Sequence, residues 1–323
     1  MDRPGALARL RAVLSDFGAT QLPGADHWAV ALSGGADSLA LTAAAAALRP
    51  TVALIVDHGL QPESAQVAAD ARAQALALGC VAARVLCVSV GTAGGPEAAA
   101  RAARYAALDD ARGGAAVLLG HTLDDQAETV LLGLGRGSGP RSLAGMRRYD
   151  PPWCRPLLAV RREVTRQTCA ELGLRPWTDP HNSDPRFTRS RLRNEVLPLL
   201  EEVLGGGVAG ALARTATALR ENTELIDALA AQALPAAADG ADLNVAALQP
   251  LPGPVRRTVI RAWLLAGGAV GPTDEQLRRV DGLVTDWRGQ GGVAVGSSLP
   301  GQRLVAGRGG AAKHLLRLRR EPV

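Results

Sequence analysis

Lysine is almost missing from this chain: of its 36 basic residues, 35 are arginine, and Lys313 is the exception. A Walker A phosphate loop needs a lysine beside its glycines, so that device is excluded. Cysteine is also scarce. Cys80, Cys87, Cys154 and Cys169 form no C-x-x-C pair, which argues against a zinc ribbon or a cysteine-held iron–sulfur cluster. Buried free thiols in a reducing compartment are the expectation. Aromatic residues make up 3% of the chain, so the core must be built from Ala, Val and Leu. No apolar run is long enough to cross a bilayer. The first 18 residues carry Asp2 and Asp16 and have no sustained apolar centre, unlike a signal peptide. These absences point to a cytoplasmic protein with no membrane partner.

With 323 residues, 47% of them hydrophobic, the chain is expected to form two domains with sizeable cores. Its net charge of +5 is unevenly spread. Residues 1–130 carry 9 basic and 13 acidic groups (−4), residues 131–193 carry 13 and 5 (+8), and residues 194–323 carry 14 and 13 (+1). The middle stretch is where a polyanion would bind, although a solvated arginine-rich surface accounts for the charge equally well.

The hydrophobic pattern alternates between short apolar runs and helical spacing. Strands are expected over 28–32, 51–57, 81–90 and 115–120, and helices over 7–17, 39–48, 62–78, 96–112 and 124–134. Such alternation predicts an α/β fold, a doubly wound parallel sheet with helices on both faces. Residues 135–150 and 175–193 read as irregular, 154–158 as a last strand and 161–172 as a helix. A helical stretch over 194–234 is broken at Gly205–Gly207, taken as the junction between a catalytic domain (1–204) and a smaller, mainly helical C-terminal domain (205–323) with helices over 254–266 and 273–287. That domain ends in short strands over 291–320.

Ligands in such sheets sit at the carboxyl ends of strands, so the residues just after each strand matter most. After the first stand Ser33, Gly34, Gly35, Ala36, Asp37 and Ser38. Two glycines and a helix start gather backbone N–H groups that suit a phosphate, and Asp37 beside a phosphate calls for a bridging Mg²⁺. A plain Gly-Gly turn with a helix cap is the blander account. After the second strand stand Asp57 and His58. After the fourth comes GHTLDDQAET, residues 120–129. Thr122 and Asp125 suit a capping box, but Asp124, Asp125 and Glu128 are more carboxylates than capping needs. They require a cation, either Mg²⁺ or a substrate amine. Glu97, Arg101 and Arg104 share a helix face, as a surface ion pair or as an arginine that stabilises a reacting phosphate.

SGGADS at 33–38 resembles the phosphate loop of the N-type ATP pyrophosphatases. Together with VDHGL at 56–60, EAAARAARY at 97–105, GHTLDDQAETVLLGLGRGSG from 120 and WTDPHNSDPRFTRSRLRNEVLP from 177, it resembles the tRNA(Ile)-lysidine synthases over about residues 28–200. Two positions depart from the family: Ser190, where Asn is usual, and His181, where Ser or Thr is common. The resemblance implies a Rossmann-like, adenine-nucleotide α-hydrolase-like fold. It further implies that ATP adenylates C2 of the wobble cytidine in an isoleucine tRNA with a CAU anticodon, and that free L-lysine then displaces AMP. Residues 33–38 would hold ATP, with Asp57, His58 and Asp124 in the same pocket and Asp37 on Mg²⁺. His121 and Arg101 would assist the chemistry, and Asp125 and Glu128 would hold the lysine ammonium. The tRNA would meet Arg136, Arg147, Arg148, Asn182, Arg189 and Arg193. A homodimer is compatible with the family. Three alternatives stay open: a related tRNA thiolase, a small-molecule synthetase of the same superfamily, and a nucleotide-binding regulator.

Overall fold

The computed structural model describes residues 5–322 apart from 60, 62, 92–94, 137 and 138; the side chains of Pro96, Glu97, Arg136 and His181 are also outside the described set, so the expectations placed on Glu97, Arg136 and His181 lie outside it. The chain divides into two compact units, Met1–Leu132 with Gly145–Arg214, and Gly133–Ala144 with Thr215–Val323.

In the first unit, α1 (Ala6–Gln21) leads into β1 (Trp28–Ala31), α2 (Ala36–Ala46), β2 (Thr51–Asp57), α3 (Ser64–Ala77), β3 (Ala82–Cys87), α4 (Pro96–Ala111), β4 (Val117–Leu119) and α5 (Leu123–Arg136). The short α6 (Pro140–Leu143) belongs to the second unit. The chain then returns through β5 (Tyr149–Asp150), β6 (Trp153–Cys154), α7 (Arg162–Glu171), α8 (Thr188–Arg191), a π-helical turn at Leu192–Val196, and α9 (Leu197–Val203).

The sheet order is β3-β2-β1-β4-β6-β5, parallel except for the β5–β6 hairpin. From β1 the chain steps outward to β2 and β3, then crosses to the other side of β1 to lay down β4. The switch point is therefore between β1 and β4, where such sheets open a crevice for ligands. Their register pairs Ala31 with Leu119, so the loops after both strands leave the sheet at one level. α2 lies over this point. Its residues Leu39, Ala40, Leu41 and Ala44 are fully buried, which matches a helix that is apolar nearly all round. It packs against α1 and α7. α1 presents Leu10, Leu14 and Phe17 on one buried face, at the spacing of an amphipathic helix.

Several expectations are corrected. The expected strand over 154–158 is β6 followed by a 3-10 turn, Pro156–Ala159, because Pro156 has no N–H to give a ladder. The irregular stretches contain α6, β5, a 3-10 turn at Pro180–Asn182, and α8. Among the four free thiols, Cys87 is exposed and only Cys80, Cys154 and Cys169 are buried.

The second unit takes in the later part of α10 (Val208–Ala237), then β7 (Ala238–Asp239), β8 (Asp242–Asn244), α11 (Val245–Leu248), α12 (Gly253–Ala266), α13 (Asp274–Thr285), β9 (Val293–Val295), β10 (Gln302–Gly309) and β11 (Leu315–Pro322). Val259, Ile260, Leu264, Val280 and Leu283 pack in one core with Leu304, Ala306 and Leu316. The three last strands are part of a five-stranded antiparallel sheet, β7-β8-β11-β10-β9. Its β7–β8 edge carries no sequence pattern long enough to read. Among the described residues, no single helix is long and apolar enough to cross a membrane.

Candidate active site

The loop after β1 is closed by its own serines. Ser38 Oγ donates to the Gly35 carbonyl at 2.9 Å and accepts from the Ser33 N–H at 3.2 Å, and the two hydroxyls lie 3.1 Å apart. Gly34 has a φ of 82°, a conformation that a side chain strains. Gly35 is the N-cap of α2, and no side chain caps that helix. Its first N–H groups therefore face the loop without an internal acceptor, as phosphate binding requires. Gly120, just beyond β4, presses against the same loop: a Cβ there would lie 3.0–3.1 Å from Ser38 N, Asp37 C and Ser38 Cα. The segment from 175 onward is tied to the loop by the Trp177 N–H, which donates to the Gly34 carbonyl at 3.0 Å.

The carboxylates at the start of α5 meet a cation that the chain itself supplies. Arg162, at the first turn of α7, donates through Nε to Asp37 at 3.2 Å, through one terminal nitrogen to Glu128 at 3.2 Å and through the other to Asp125 at 2.5 Å. Its backbone N–H donates to Asp124 at 2.7 Å. Asp124 also lies 3.1 Å from Arg161. Since α7 has no side-chain cap of its own, Asp124 caps it from α5. Arg193, on the π-helical turn, adds contacts of 2.7 and 3.0 Å to Glu128 and 3.1 Å to Asp125. Arg189 donates to Thr129 at 3.3 Å and lies 3.9 Å from Glu128.

The expected capping box is present: the Asp125 N–H donates to Thr122 Oγ1 at 3.4 Å, and Asp125 accepts from both the N–H and the hydroxyl of Thr122 at 2.8 Å. With two donors on each oxygen, its roughly four acceptor positions are filled. Burial acts to raise the Asp125 carboxyl, but Arg162, Thr122 and Arg193 outweigh it and hold the group below the ordinary carboxylate range. Asp37 goes the other way. Burial raises it despite Arg162 and the hydrogen bond from Thr165. Glu128 is wholly buried.

His121 follows β4. Burial pushes its imidazole down to about 4, aided by the charges of Arg155, Arg101 and Arg189 and opposed by Asp125. Its Nδ1 is buried and has no hydrogen-bond partner among the described residues. Arg101 lies over the Tyr105 ring at 4.6 Å and donates to its hydroxyl at 3.0 Å. Asp57 accepts from the Gly59 N–H at 3.0 Å, and His58 follows it at the end of β2. The Asn182 carbonyl accepts from Ser190 Oγ at 2.8 Å and Asn194 at 3.0 Å, so the serine that departs from the family pattern is tied into the segment. Arg148 stacks on Phe17 at 5.1 Å, and the Arg147 carbonyl accepts from Arg155 at 3.0 Å.

The structure thus gathers Asp37, His121, Asp124, Asp125, Glu128, Arg189 and Arg193 at the switch point. Sequence reading missed Arg161, Arg162 and Thr165. A signal was available: two arginines at the start of a helix oppose its dipole, and that cost calls for carboxylates supplied from elsewhere.

Residues 8–200 match the PP-loop domain family and residues 243–309 match the TilS substrate binding domain family. The tRNA(Ile)-lysidine synthase of Mycolicibacterium paratuberculosis is 71% identical over the whole of both chains. That of Nocardia farcinica is 63% identical over 97% of this chain and 99% of its own. A solved tRNA thiolase from Methanococcus maripaludis superposes with a TM-score of 0.54 at 17% identity, over 67% of this chain and 80% of its own, a likeness of fold.

Proposed function

The chain belongs to the tRNA(Ile)-lysidine synthase family, and on that premise we propose how its residues join free L-lysine to C2 of the wobble cytidine in the CAU anticodon of an isoleucine tRNA. The reaction passes through an adenylated tRNA and turns ATP into AMP and pyrophosphate. The enzyme is an ATP-using ligase of the PP-loop fold. The observation that carries the reading is the uncapped start of α2 at the switch point, within one arginine's reach of four carboxylates.

The N–H groups of residues 34–38 receive the ATP phosphates, with Asp57 and His58 at the neighbouring strand end. Mg²⁺ fits this donor set. It takes one or two protein carboxylates and completes its shell with phosphates and water; Asp37 supplies one, and the described residues hold no cluster of three or more metal-binding side chains. Mg²⁺, when bound, offsets phosphate charge. Asp125 and Glu128 hold the amine of lysine. Both already face guanidinium groups, so the amine exchanges with one of them. Arg193, whose side chain is 24% exposed against 11% for Arg162, is the freer to leave. Arg101 and His121 face the reacting phosphate, and Arg136, Arg147, Arg148, Asn182, Arg189 and the displaced Arg193 meet tRNA. Cytoplasmic action follows from these substrates. The thiolase reading is disfavoured, since the relatives that match over the whole chain are tRNA(Ile)-lysidine synthases and no two cysteines stand in a C-x-x-C pair.

Pyrophosphate release, measured with tRNA, ATP and lysine each omitted in turn, tests the function. Release that requires tRNA and ATP, with a lysine-dependent tRNA product, is expected. Release independent of tRNA would overturn it.

A further inference from the structure

A cavity of about 150 Å³ opens beside Glu128. It is smaller than the ~300–1,000 Å³ of sites for drug-sized ligands and suits a small metabolite, not a nucleotide. The charged groups lining it include two sets of ion pairs. In one, Arg161 lies 3.1 Å from Asp124 and 3.8 Å from Glu201. In the other, Arg193 lies 2.7 Å from Glu128. Leu197, Pro198 and Ala209 supply an apolar wall. With Arg162, the lining carries three carboxylates and three guanidinium groups. A balanced wall of this kind repels neither sign. It fits a ligand that carries an ammonium and a carboxylate at one end, an aliphatic stem, and a basic group at the other.

Resting on the function proposed above, we infer that this cavity receives the free amino acid and that Arg161 is the residue that reads its α-carboxylate. Arg161 is suited to this. Its side chain is half exposed, its contact with Glu201 is loose, and a guanidinium fork matches a carboxylate in two parallel hydrogen bonds. Glu201 and Asp124, released in part from Arg161, take the α-ammonium. Glu201 stays in place because it also accepts from the Val208 and Ala209 N–H groups at 3.0 Å each. The stem lies along Leu197 and Pro198, which directs the ε-amine towards Glu128. The enzyme would thus recognise an amino acid and reject a simple diamine that carries the same reactive group.

Two inhibitors of lysidine formation separate the two sets. L-Norleucine has the α-amino acid end and no ε-amine; cadaverine has the amine and no α-carboxylate. In the unaltered full-length enzyme, norleucine should compete with lysine. In Arg161→Gln, its inhibition constant and the KM for lysine should rise roughly tenfold, the effect of one charge-assisted contact. The cadaverine constant and the KM for ATP should stay within about twofold, and Arg161→Lys should recover part of the loss. An unchanged norleucine constant overturns the inference. So does a norleucine that fails to compete with the unaltered enzyme, or a parallel loss for both inhibitors, which would mean general damage to the site. A failure of the underlying function would look different: the unaltered enzyme would form no lysine adduct on tRNA.

Discussion

At the scale of single residues, Arg162 bears the largest consequence. It pairs with Asp37, Asp125 and Glu128 at once, from a site only 11% exposed. Truncating one member of a buried ionic network leaves charges without partners, which costs about 3–5 kcal/mol. Arg162→Ala should therefore lower the urea midpoint of the first unit, and Arg162→Met combined with Glu128→Gln should recover part of it. An unchanged midpoint would show that the network adds nothing to stability. His121 gives a separate pH signature. Its folded value of about 4 lies below the ordinary 6.5, so between these values the unfolded chain binds the proton and the folded chain does not. Stability should fall as pH drops from 6.5 towards 4, by about 3 kcal/mol at most for a shift of this size. Asp125 is held low, so its contribution is lost only as pH falls below about 3.8, outside that window. His121→Asn should flatten the stability profile between pH 4 and 6.5; a slope equal to that of the unaltered protein would assign the effect to another group.

At the scale of elements, β4 and α2 meet so closely that a methyl group has no room. The neighbours of a Cβ at Gly120 are all backbone atoms, at 3.0–3.1 Å, and they cannot rotate away as a side chain would. Gly120→Ala should push the phosphate loop by a few tenths of an ångström, cost about 1–3 kcal/mol as overpacking does, and raise the KM for ATP severalfold. Gly91→Ala, with nothing within 4 Å, is the control. If ATP kinetics and stability are the same in both variants, the loop does not depend on this contact. α7 teaches a related point: its start tolerates Arg161 and Arg162 only because Asp124 caps it and three further carboxylates face it. A helix that looks electrostatically wrong by itself is right beside α5.

At the scale of the molecule, charge counted along the chain differs from charge presented to a partner. The −4 of residues 1–130 and the +8 of residues 131–193 cancel in part, because Arg161, Arg162 and Arg193 face Asp37, Asp124, Asp125 and Glu128. The surface left for a polyanion is smaller than the count implies. Arg148, 42% exposed, and its neighbour Arg147 are the test. Reversing both to Glu should weaken tRNA binding and reduce the slope of log affinity against log salt by about one for each lost phosphate contact. Equal affinity and slope at two salt concentrations would place the RNA elsewhere.

The alternation of strands and helices, the turn at Gly34 and the placement of residues 33–38 and 121–128 just beyond strand ends were legible in the sequence, because each is written within a few neighbouring residues. The excess of acid over residues 124–128 was legible too, together with its need for a cation. Which cation answers it was not. Arg162 lies 125 positions from Asp37 and 34 from Glu128. The same limit hid the pairing of β8 with β11, whose partners Asn244 and Leu315 are far apart in the chain. Periodicity and propensity act over one or two turns of backbone. A buried charge takes its partner from whatever element the fold brings beside it, and only the tertiary structure decides which one that is.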